Sequence, residues 1–158
     1  MPPITLEAIE AKQSELSILI AKFKEQPITP TTTLWVFPEV SIDLQPGEHY
    51  AGAVLDVSGH LIHHLVLMAQ RPTDKLNWQA AMDWAEEVGG TLPTRQEQAL
   101  LFANCKPHLQ PAWHWSSETH EDDASSAWGC YFGYGYQDSS LKRYEGSAVA
   151  ARLIHLTH

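Results

Sequence analysis

Along this chain the apolar positions change period, and each change marks an element. In residues 5–26, Leu6, Ile9, Gln13, Leu16, Ile20 and Phe23 recur at spacings of three and four alternately. That is the a/d seam of a coiled coil with one polar member, opened by Thr5 and stopped before Pro27. At about two and a half heptads the helix is marginal alone in water, so it needs a partner: the same helix in sister subunits, or its own chain's domain. Ile18 and Leu19 widen the apolar face, and Gln13 would fix register at a cost in stability. Prolines and threonines make residues 27–33 an extended linker. Residues 34–37 and 40–44 then read as β-type runs, the second alternating Val40, Ile42 and Leu44 before a Pro46-Gly47 turn. Residues 50–57 and 61–68 flank Ser58-Gly59 and predict a β-hairpin.

Helical period returns at Trp78, Ala81, Met82, Ala85 and Val88, with Asn77 as N-cap and Gly89-Gly90 as the stop. Thr94 and Glu97, three residues apart, form a capping box for a second helix. Its run Ala99 to Ala103 is nearly all apolar and predicts burial on more than one side until Lys106-Pro107. Residues 113–117 and 127–132 carry aromatics at alternate positions and predict core strands with Trp113, Trp115 and Trp128 inside. The intervening residues 118–126 read as a polar loop containing Glu121, Asp122 and Asp123. Residues 147–156 close the sheet as a last strand.

The words W-x-x-A, W-A-E-E-x-G-G-x-L-P-T-R-Q-E, W-x-W-S-S and A-W-x-x-x-F-x-x-G-Y occur in that order between Trp78 and Tyr136. This order resembles the bacterial and phage domain of unknown function named for the C-terminal part of the Legionella collagen-like protein. The likeness spans residues 49–154, with L-P-T-R-Q-E and W-S-S its most specific words and Arg152 where family members often carry an arginine. It implies a C-type-lectin-like fold, related to formylglycine-generating-enzyme domains and to the variable receptor-binding proteins of diversity-generating retroelements. The expected architecture is therefore α+β: two helices flanking a small, mostly antiparallel sheet in residues 34–158, a linker at 27–33, and an N-terminal oligomerisation helix at 1–26. Such a framework constrains fold far more than function.

Composition narrows the function classes. The 158 residues, 44% of them hydrophobic, suffice for one sizeable core. A net charge of −9 with only 10 Lys and Arg argues against a nucleic-acid surface and favours a cationic or neutral partner. No apolar run approaches the roughly 18 residues of a membrane span, and Met1-Pro2-Pro3 lacks the start of a signal peptide. A cytoplasmic protein is expected, or one carried on a virion. Cys105 and Cys130 read as reduced, buried thiols, with a single bridge as the alternative. His63 and His64 are neighbours on a strand and face opposite ways, so they do not chelate one metal unaided. The acidic loop lacks the E-P-N and W-N-D words of calcium-dependent lectins and reads as solvated. No cofactor is expected.

The stretch after Phe132 is dense in Tyr, Gly, Ser and Asp, the composition of adaptable recognition loops, and equally that of a tyrosine-rich hairpin. The candidate ligand-binding residues are Tyr131, Tyr134, Tyr136, Asp138 and Tyr144, with Trp128 as buried support. The reading is a non-enzymatic module, phage- or prophage-encoded, that binds a protein or glycan on a host or partner and self-associates as a trimer, otherwise a dimer. The alternatives are a small acidic phage inhibitor of a host protein, or a formylglycine-generating-type enzyme. The two cysteines lack the electropositive surroundings that enzyme would require.

Overall fold

The helical and alternating periods translate into three helices and six strands in a computed structural model that describes residues 2–27 and 29–156. The chain divides into two compact units, Met1–Val40 and Ser41–His158. In the first, α1 (Leu6–Glu25) starts where the Thr5 hydroxyl accepts the Ala8 N–H and ends as Gln26 turns extended. It buries none of its residues. Leu6, Ile9, Leu16, Leu19, Ile20 and Phe23 are all exposed. Among the described residues, 34–37 and 40–44 form no strand, contrary to the alternation of their side chains. β-propensity is realised only against a cross-strand partner, and Pro38 removes a backbone donor between the two runs.

The second unit holds two three-stranded antiparallel sheets where one was expected. The predicted hairpin is present as β1 (His49–Leu55) and β2 (Leu61–Leu67), and β6 (Ala151–Ile154) pairs with the other edge of β2. The second sheet runs β3 (Trp113–His120), β4 (Asp123–Tyr131), β5 (Tyr136–Leu141). The last segment therefore closes the β1–β2 sheet and not the aromatic one. On its way it ties the two together: Ser147 bridges His114 of β3, Ala150 accepts the Met68 N–H, and Ala151 bridges Thr91.

α2 (Trp78–Glu87) is capped by the Asn77 side chain on the Ala80 N–H at 2.9 Å and buries Ala81 and Ala85. α3 (Arg95–Cys105) begins with the complete Thr94–Glu97 capping box. Its buried residues Glu97, Gln98, Leu101 and Cys105 make one stripe, whereas Ala99 and Ala103 are exposed. Small alanines tolerate solvent, so the apolar run overstated the burial. One core cluster joins Leu65, Leu67, Leu101, Phe132 and Val149, and another joins Ala81, Ala85, Leu92 and Trp115. Among the described residues no helix is long and apolar enough to cross a membrane.

Candidate ligand-binding site

Antiparallel register sets the candidate residues in rows across the aromatic sheet. Trp113, Tyr131 and Tyr136 stand opposite one another on β3, β4 and β5, and Trp115, Gly129 and Asp138 form the next same-face row. Gly129 is dictated by its neighbour: a Cβ there would meet the Trp113 ring and lie 2.5 Å from the His114 carbonyl. The Trp113 indole thus lies across β4. With Tyr136, Asp138, Ser139 and Ser140 it walls a depression of about 230 Å³. Its buried ring N–H has no partner among the described residues.

Beside this depression three tyrosines stack. Tyr131 lies 5.7 Å from Tyr134 and 5.5 Å from Tyr136, both nearly parallel to it. Tyr134 is 81% and Tyr136 54% exposed, while Tyr131 is half-buried between them. The turn that presents Tyr134 closes through the Gly135 N–H on the Tyr131 carbonyl at 2.7 Å. Gly135 has φ of 81°, the left-handed region, and the Phe102 ring occupies the space a side chain would need. Of the residues read from the sequence, Tyr131, Tyr134, Tyr136 and Asp138 are therefore brought together. Tyr144 stands in the turn after β5, exposed, with the Arg143 guanidinium 5.4 Å from its ring centre, and is not part of the stack.

On the reverse face of the sheet, the part around His114 and Cys130 is buried. His114 and Phe132 pack ring to ring at 4.7 Å, and burial pushes the His114 imidazole down to about 4. Burial also pushes the Cys130 thiol up to about 11 and raises that of Cys105, the direction opposite to an activated thiolate. Both cysteines are free.

Trp128 corrects the expectation of a core residue. It is half-buried and belongs to neither core cluster. Arg95 lies 3.7 Å above its ring, His120 stacks on it at 5.0 Å, and its indole N–H donates to Glu121 at 2.8 Å. Gln137 clamps Arg95, accepting from Nε at 3.0 Å and donating to its carbonyl at 2.6 Å. A second, open depression of about 610 Å³ lies here, lined by Arg95, Gln96, Glu118 and Gln137. Only the strand alternation, which puts Gln137 on the face opposite Tyr136 and Asp138, hints at this cluster in the sequence.

The polar stretch 118–126 is not a long loop, because β3 and β4 extend through it and His120 pairs with Asp123 across a tight turn. Asp123 accepts the Ser125 and Ser126 hydroxyls at 2.5 and 2.7 Å, which holds its carboxyl below the usual range. The Trp128 N–H does the same for Glu121. His63 and His64 do point apart: His63 Nε2 meets Glu97 at 3.1 Å, and His64 Nδ1 meets the Tyr50 hydroxyl at 2.7 Å. Among the described residues no group of three or more His, Cys, Asp or Glu side chains is placed to hold a metal ion. Compared with models of known protein families and with characterised proteins, the chain matches none.

Proposed function

We propose that the protein is a non-enzymatic binding module whose recognition surface is the Tyr134–Tyr131–Tyr136 stack with Asp138 and the serine-lined depression beside it. One observation carries the reading: two of these rings are mostly in water, Tyr136 on a strand in register with Tyr131 and Tyr134 in the adjoining turn, both stacked on Tyr131. Large aromatics displayed at low entropy cost are the anchors of interfaces, and a carboxylate with hydroxyls beside them supplies directional hydrogen bonds. The ligand class is a protein or glycan on a host or partner. We further propose a C-type-lectin-like framework for residues 34–158, from the L-P-T-R-Q-E and W-S-S words. The heptad seam of α1 supports self-association as a trimer, otherwise a dimer. In this reading the chain is a phage- or prophage-encoded accessory or receptor-binding protein.

Affinity capture and glycan arrays with the full chain, beside Tyr134→Ala/Tyr136→Ala, test the assignment. The expected result is a ligand held by the parent and lost from the double variant at unchanged melting temperature. Equal capture by both would remove this surface, and a large drop in melting temperature with parallel loss of binding would make the tyrosines structural.

A further inference from the structure

A separate cavity of about 480 Å³ lies where α2, the turn after it, α3, β3 and β6 meet, within the size range of small-molecule sites. Met82, Leu92 and Leu153 supply apolar wall, Ser117 a polar edge, and Glu86 and Glu97 two carboxylates. Among the described residues no Lys, Arg or His lines it. Glu97 is 3% exposed and fixed from both oxygens, by His63 Nε2 at 3.1 Å and by the Thr94 N–H at 3.2 Å. It is therefore oriented before anything binds.

The charged side chains lining this cavity are carboxylates, with His63 behind Glu97. α2 ends in Asp83, Glu86 and Glu87 with no basic residue in its last turn. A helix C-terminus is the negative end of the macrodipole and ordinarily favours cations. Asp83 faces Glu86 and Glu87 at the i,i+3 and i,i+4 spacings where like charges repel, so this arrangement costs α2 stability. At α3 the opposite, positive end is already answered by carboxylates, Glu97 on the Thr94 N–H and Glu118 on the Arg95 N–H at 2.6 Å. What remains at the cavity is an apolar chamber with net negative wall charge.

We propose that this cavity binds a primary ammonium group carried on an apolar chain or ring, with Glu97 and Glu86 as its counter-charges and Met82, Leu92 and Leu153 around the apolar body. The site shares no residue with the tyrosine surface, so either can fail alone. The same chemistry is carried by free apolar amines and by a lysine side chain of a partner.

Titration of the full ¹⁵N-labelled chain with 2-phenylethylammonium, 2-phenylethanol and 3-phenylpropionate decides the matter, with Nα-acetyl-lysine methylamide as a second amine. The expected result is saturable shifts at the Gly90, Thr91 and Ser117 amides. The amine should bind roughly tenfold or more tightly than the alcohol, and the carboxylate not at all. Whichever amine binds more tightly identifies the source. Glu86→Gln, an exposed position, and Glu97→Gln, which retains a capping-box residue, should each weaken the amine and leave the alcohol unchanged. Leu153→Trp should exclude both. Equal affinity for amine and alcohol, amine binding indifferent to both glutamine variants, or no saturable shift at about 10 mM would overturn the proposal.

Discussion

A histidine sealed from water keeps its imidazole neutral, and His114, 2% exposed, does so with its Nδ1–H on the Ala112 carbonyl at 2.8 Å. Its folded pKa near 4 lies below the ordinary 6.5, chiefly through burial. Between those values the unfolded chain takes up the proton and the folded chain does not. The stabilisation is fully present above pH 6.5 and is lost as pH falls toward 4. Denaturant titrations at pH 7 and pH 5 should show a loss of about 2 kcal/mol from this group, and His114→Gln a smaller loss over the same interval. Trp115, fully buried, should cost about 3–5 kcal/mol when cut to alanine. The exposed Tyr134 should cost within about 0.5 kcal/mol. The site was partly legible at this scale. Tyr134 and Tyr136 sit among glycines and polar residues, which marks an exposed loop or hairpin, and the core position of Trp115 follows from the alternation of aromatics in residues 113–117. The place of Trp128 was not legible, because Arg95, held by Gln137, covers it from another element and alternation alone cannot tell a covered surface ring from a core one.

Helix starts are set by side chains within three residues of the first turn, which is why Thr5, Asn77 and the Thr94–Glu97 box could be read from the sequence and stand in the structure. Thr94→Ala should destabilise the domain by about 1 kcal/mol, seen as a lower denaturation midpoint at unchanged slope. Strand pairing is a different matter. The β1–β2 hairpin is local and was legible, but the pairing of β2 with β6 joins distant parts of the chain, and nothing in either segment names its partner. That is how one expected sheet became two, and why the β-type runs at 34–37 and 40–44 promised strands that do not form. Gly129→Ala tests the aromatic sheet as an element. Its Cβ would strike the Trp113 ring and the His114 carbonyl, so a loss of about 1–3 kcal/mol should appear in thermal or denaturant melts.

On the scale of the whole molecule, the heptad seam of α1 with Gln13 is the basis of the proposal that the helix pairs with its own copies. Light scattering should find the full chain as a trimer or dimer and a chain beginning at Thr31 as a monomer. Two monomers at tens of micromolar, roughly where weak assemblies form, would end that proposal. The tyrosine surface is the larger claim. Its most direct test places a photoreactive benzoylphenylalanine at Tyr134 of the full chain, with the same group at exposed Val57 in the β1–β2 turn as control. Irradiation in host lysate should yield a discrete covalent adduct from position 134 and none from position 57. Equal adducts from both positions, or none from position 134, would contradict a recognition surface on the tyrosine stack.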